Sequence, residues 1–187
     1  MLLVGAKPPG RHTEQHDIFF GIGASIRDLI PQVQAFWPEA KKNLHLDAWR
    51  EVTHVNGHHI SVKEHPSTTK SMQLFFINLG GYRPNEFEEF HYKMLIAAEN
   101  KNAAILQAKQ TAFFKHTGFA QAKAHIDDKY GVDVDDMYAV TDILPQWLKN
   151  QYGLEIQPAQ NHQEDTIHLG YFKLDQVEKW APEENIG

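Results

Sequence analysis

The chain has 187 residues, 42% of them apolar and 22% charged, which suits one compact domain or two very small ones with a filled core. A formal charge of −6 without a dense basic tract argues against a nucleic-acid partner, and no apolar run approaches the roughly 18 residues of a membrane span. The absence of cysteine excludes disulfides, thiolate zinc sites, iron–sulfur clusters and cysteine nucleophiles, while twelve histidines stand as ligands, acid–base groups or surface residues.

The opening "MLLVGAKPPG" has one short apolar run without the basic segment of a secretory signal, so a cytoplasmic location is the expectation. "LLVGA" (2–6) reads as a strand, "GAKPPG" as a loop and "HDIFFGIG" (16–23) as a second strand. Ser25 caps a helix with Ile26, Leu29, Ile30 and Val33 on one side, Pro31 early in it and Pro38 at its end. "LHLDAWREV" (44–52) is a third strand. Asn56–Gly57 predicts a two-residue hairpin into a fourth, "HHISVK", because both residues tolerate positive backbone angles. "EHPSTTK" (64–70) reads as a linker.

The same order then returns. "MQLFFINL" (72–79) is a strand, "GGYRPN" a loop, "HYKMLIAA" (91–98) a strand, and Asn100 caps a helix over "NAAILQAKQTAFF" that Gly118 stops. An offset of 75 aligns Gly5 with Gly80, Glu14 with Glu89 and His16 with His91. An offset of 80 then aligns His45 with His125 and Asp47 with Asp127, so "HLDAWREV" faces "HIDDKYGV". "DVDDMYAV" reads as a looser turn before the second copy's own fourth strand. Ordered matches of this kind indicate an internal duplication. The expected organisation is repeat 1 over 1–63, a linker over 64–71, repeat 2 over 72–140 and, over 141–187, a C-terminal helix ("TDILPQWLKNQYG", ending at Gly153), short strands and a mobile tail, all packed as one domain.

The strings "EQHDIFFGIG", "HLDAWREV", "LGGYRPNEFEEFHY" and "HIDDKYGVDVDD" resemble an uncharacterised bacterial family catalogued as a domain of unknown function, found as one or two copies per chain. The resemblance implies duplication and a bacterial cytoplasmic setting. It implies no activity, cofactor or catalytic residue.

Three sets of residues carry candidate chemistry. In extended chain, residues two apart face the same way, so Glu14 with His16, and His45 with Asp47, project in pairs, mirrored by Glu89 with His91 and His125 with Asp127. Two imidazoles and two carboxylates per copy suit zinc, manganese or iron, or acid–base chemistry, and the plainer alternative is a half-buried histidine satisfied by a neighbouring acid. The glycine loops, Gly5 with Lys7 and Arg11, and Gly80–Gly81 with Arg83, suit a phosphate or carboxylate, or simply turn geometry; neither is a dinucleotide fingerprint or a P-loop. Gly21 and Gly23, at a strand-to-helix turn, raise the same pair of readings. No serine or threonine stands in a nucleophile elbow.

The expected fold is α+β: two strand–strand–helix–strand–strand units sharing antiparallel sheet about a pseudo-twofold axis. Two classes of function stand, and the first is the preferred reading because no nucleophile, cofactor loop or strong metal motif is present. One is a module binding a small molecule or a protein in the groove between the units, with an exposed sheet edge offering self-association. The other is a metal-dependent or acid–base enzyme. Motifs alone require no cofactor. Ring nitrogens converging on one point would favour a metal; histidines each bonded to a separate partner would favour the module.

Overall fold

The computed structural model describes residues 1–40, 43–64, 71–82, 85–110, 134–160 and 164–180. Along the chain lie β1 (Leu2–Ala6), β2 (Gln15–Phe19), a 3-10 turn (Ile26–Leu29), α1 (Ile30–Phe36), β3 (His45–Trp49), β4 (His54–Val55), β5 (His58–Glu64), β6 (Gln73–Tyr82) and β7 (Glu89–Ala98). There follow α2 (Lys101–Lys109), β8 (Val134–Ala139), α3 (Val140–Ile143), α4 (Gln146–Gln151), β9 (Tyr152–Pro158), β10 (His168–Lys173) and α5 (Leu174–Val177). The fold is α+β, and among the described residues every strand pair is antiparallel. Among the described residues no helix is long and apolar enough to cross a membrane.

Contacts divide the chain into two units. The first is Met1–Thr53, Leu144–Leu148 and Glu164–Gly187; the second is His54–Ile143 and Lys149–Gln163.

In the first unit the strands run in the order β10-β3-β1-β2. Alternation along β1 decides which face does what: Leu2, Val4 and Ala6 enter a core with Leu46, Ile26, Ile30, Val33, Leu174 and Val177, and Leu3 and Gly5 belong to the other face. The chain enters its helical stretch where the Asp28 carboxylate accepts the Ser25 N–H at 2.9 Å. Pro31 sits in the first turn of α1, where a missing N–H costs nothing. The segment 164–180 is tied back by Asp165, which accepts from the Arg50 guanidinium at 3.1 Å and from the Thr53 N–H at 2.8 Å.

The second unit has two three-stranded sheets, β7-β6-β8 and β4-β5-β9. Phe75, Ile77 and Leu79 of β6 pack with Ile96, Ala98, Ala104, Ala108 and Ala139. The Asn100 side chain caps α2, its Oδ1 accepting the Ala103 N–H at 3.0 Å. The β4–β5 hairpin turns on Asn56 and Gly57, at φ 37° and 79°, as the Asn-Gly pair predicts. The Asn56 side chain also accepts the Ala97 N–H at 2.7 Å and donates to the Ala97 carbonyl at 3.1 Å.

Four sequence expectations differ from these elements. Among the described residues the two expected repeats share no sheet: β3 is closed by β10, β5 pairs with β9, and the described strands fall into three sheets. Residues 134–139 are not a lead-in to a fourth strand; they pair with β6 as β3 pairs with β1. The helix expected through Gly153 is broken at Leu144–Pro145 into α3 and α4, and Gly153 lies inside β9 opposite Lys63. The glycine "loops" are strand: Gly5 is in β1, Gly80 and Gly81 in β6. Residues 65–70 of the expected linker, the expected third strand of the second repeat at 122–132, and Gly118 lie outside the described residues, while Glu64 ends β5.

Candidate metal centre

Gly5 lies opposite His16 of β2 on one side and His45 of β3 on the other, and Lys173 of β10 lies opposite His45. Directly opposed residues in antiparallel sheet share a face, so Lys173, His45, Gly5 and His16 form one row across four strands. Strands β2 and β3 flank β1 and are therefore about 10 Å apart. Their side chains meet by reaching over Gly5, and a Cβ there would collide with the His45 imidazole and the Asp47 carboxylate. A register shift between Leu3 and Val4 leaves Asp47 as the extra residue of a β-bulge, a device that re-aims a side chain.

Four groups gather over the glycine. His16 Nε2 lies 3.1 Å from Asp47 Oδ2 and 3.8 Å from Glu14 Oε2. His45 Nε2 lies 3.2 Å from Glu14 Oε1 and 3.4 Å from Asp47 Oδ2. His45 is the floor, 2% exposed, and His16 the open side, 40% exposed. His45 Nδ1 sits 3.1 Å from the Asn43 carbonyl, an acceptor, so Nδ1 carries a proton and Nε2 is the ring atom turned to the two carboxylates. Despite the short distances, His45 Nε2 and Asp47 Oδ2 are both buried and neither makes a hydrogen bond among the described residues. Carboxylate oxygens turned on a buried ring nitrogen require a cation or a proton between them.

The donor set fits a metal. A tetrahedral ion with bonds of about 2.0–2.1 Å has donor–donor edges of about 3.3–3.4 Å, in the range of the distances above. One ligand atom each from Glu14, His16 and His45 lie within 4.8 Å of one another. The His45 Nδ1 contact to a backbone carbonyl fixes the ring with Nε2 towards the carboxylates, the kind of outer hydrogen bond that metal-binding histidines commonly make.

The second unit repeats the plan in part. Gly80 lies opposite His91, and a Cβ at Gly80 would strike the Asp135 carboxylate. His91 Nε2 is 3.1 Å from Asp135 Oδ2 and 3.9 Å from Glu89 Oε2. Asp135 is again the bulged residue, skipped between the pairs Asn78–Asp136 and Leu79–Val134. Ligand atoms of Glu89, His91 and Asp135 also lie within 4.8 Å of one another.

Asp135 is thus the residue missed from sequence. The offset of 80 pointed to His125 and Asp127, which lie outside the described residues. An offset of 88, laying "HLDAW" on "DVDDM", finds it. Of the anion candidates, Lys7 lines a cavity beside the first cluster. Gly81 pairs opposite Phe90 in the sheet, and the Arg11 N–H donates to the Pro8 carbonyl in a turn through Gly10; Arg83 lies outside the described residues. Gly21 and Gly23 serve close packing, against Phe19, Leu29 and Gln32 and against Asp28 and Leu29.

Residues 11–62 match the family model Domain of Unknown Function (DUF1543), a span that takes in Glu14, His16, His45 and Asp47. No curated protein matches the chain. Among solved structures, the crystal structure of a protein Il1583 from Idiomarina loihiensis is similar, with 24% identity, coverage of 92% of this chain and 94% of that one, and a TM-score of 0.58. At that identity the likeness speaks for the fold alone.

Proposed function

We propose that the first unit is a divalent-metal-binding module, with His16 and His45 as nitrogen ligands, Glu14 as an oxygen ligand, and Asp47 as a fourth ligand or as the acid that orients His16. The observation that carries this reading is His45 Nε2, buried, without a hydrogen bond among the described residues, and facing oxygens of two carboxylates. A mixed nitrogen–oxygen set without sulfur suits zinc, manganese or iron. Elemental analysis of untagged protein purified without chelator tests it. About one metal per chain, lost in His45→Gln, supports the module. Metal-free protein that takes up none of the three ions refutes it, and leaves a charged imidazole as the group that satisfies the carboxylates.

A second reading rests on the His16–Asp47 pair, 3.1 Å apart at the open side. A carboxylate-oriented imidazole serves as a general base in metal-free acid–base chemistry. That reading requires full function in protein stripped of metal, which separates it from the first.

A further inference from the structure

A cavity of about 700 Å³ opens beside the metal cluster within the first unit, and Glu14 and His45 form part of its wall. Lys7, Lys173 and Tyr171 line it as well. Lys173 stands next to His45 in the row across the sheet, and Lys7 follows β1 two residues after Gly5. Neither ammonium group has an ion-pair or hydrogen-bond partner among the described residues, although Asp175 and Glu178 also line the cavity. The Tyr171 ring lies 4.4 Å from the His45 ring and is 59% exposed, an aromatic surface turned to solvent beside a candidate ligand.

We propose that this cavity binds a small carboxylate or phosphate anion that completes the coordination of the metal, with Lys7 and Lys173 holding its charge and Tyr171 covering its body. The inference rests on the metal reading above and adds the class of molecule the site takes. With Glu14, His16 and His45 as ligands and Asp47 orienting His16, a tetrahedral ion keeps one position for an exogenous oxygen donor, and the wall that holds the ion is the wall that carries the two lysines. Charge sets the order of events. Glu14, Asp47, Asp175 and Glu178 outweigh Lys7 and Lys173 until a divalent cation arrives, so the cavity repels an anion without metal and accepts it with metal.

The test uses the full chain loaded with Co²⁺, whose visible spectrum reports its coordination sphere, titrated separately with malonate and with inorganic phosphate. At least one of the two should shift the cobalt bands and bind about tenfold or more tighter than to metal-free protein. The one that binds tells a carboxylate site from a phosphate site. The double variant Lys7→Ala/Lys173→Ala, two exposed positions, should keep cobalt affinity and its melting temperature while losing about tenfold or more in anion affinity, the scale of charge-assisted bonds to an oxyanion. Cobalt uptake without any spectral response to either anion overturns this inference and leaves the metal module standing, as does undiminished anion binding in the double variant. Failure to take up cobalt, zinc, manganese or iron overturns both.

Discussion

Gly5 and Gly80 hold the same register position in their respective sheets: each lies opposite a histidine, His16 or His91, with a bulged aspartate, Asp47 or Asp135, crowding the place where its Cβ would be. A glycine here is not a flexible joint. It is the space through which side chains on the two flanking strands meet.

Gly5→Ala should therefore damage the cluster without touching any ligand. The added methyl group displaces His45 and Asp47 from a packed position, with a cost of about 1–3 kcal/mol. Metal affinity should fall with it. Denaturant unfolding and metal titration of the variant check both, and wild-type values for either would show that the cradle does not matter.

The two histidines should separate on substitution. His45 is buried with Nδ1 on the Asn43 carbonyl, so His45→Gln should lose metal and about 1–3 kcal/mol of stability. His16 is half exposed, so His16→Gln should weaken metal binding while leaving the unfolding midpoint of metal-free protein near wild type. Equal destabilisation by both would point to a purely structural pair.

Metal uptake should follow pH with a defined sign. An imidazole must be neutral to ligate, so protons compete with the metal, and zinc should raise the melting temperature more at about pH 8 than at about pH 5. A thermal shift unchanged across that range would argue for ligation by carboxylates alone.

Asn56 joins two roles that substitution can pull apart. Asn56→Gly keeps the positive φ but removes the bonds to Ala97, a loss of about 1–3 kcal/mol. Asn56→Pro also forbids the turn angle and should cost more. Calorimetry ranks them; a proline variant as stable as the glycine variant would contradict the hairpin geometry.

Much of the architecture was legible because it rests on local signals: the Asn-Gly turn, the Asn100 cap, and the spacing that puts Glu14 with His16 and His45 with Asp47. That the two pairs meet over Gly5 was not legible, since it depends on β2 and β3 flanking the same strand rather than pairing with each other. What stayed hidden was non-local. Nothing in "TIHLGYFKL" (166–174) says that it will pair with β3, or in "LEIQ" (154–157) that it will pair with β5. Asp135 was lost because "HIDD" looks more like "HLDA" than "DVDD" does, whereas pairing register obeys the bulge and the buried face.

Strand β10 closes a sheet whose other three strands come from the first 49 residues, and the whole of β4 to β9 is threaded between. On a ribosome adding about 5–20 residues per second, β1, β2 and β3 emerge on the order of ten seconds before their fourth strand exists. For that interval β3 presents a bare edge to whatever else is nascent nearby. The second unit's strands and helices are all translated before β10 appears. The first unit to be started is the last to be finished, and Asp165, by gripping Arg50 and Thr53, is the latch that fastens the late segment to the early one.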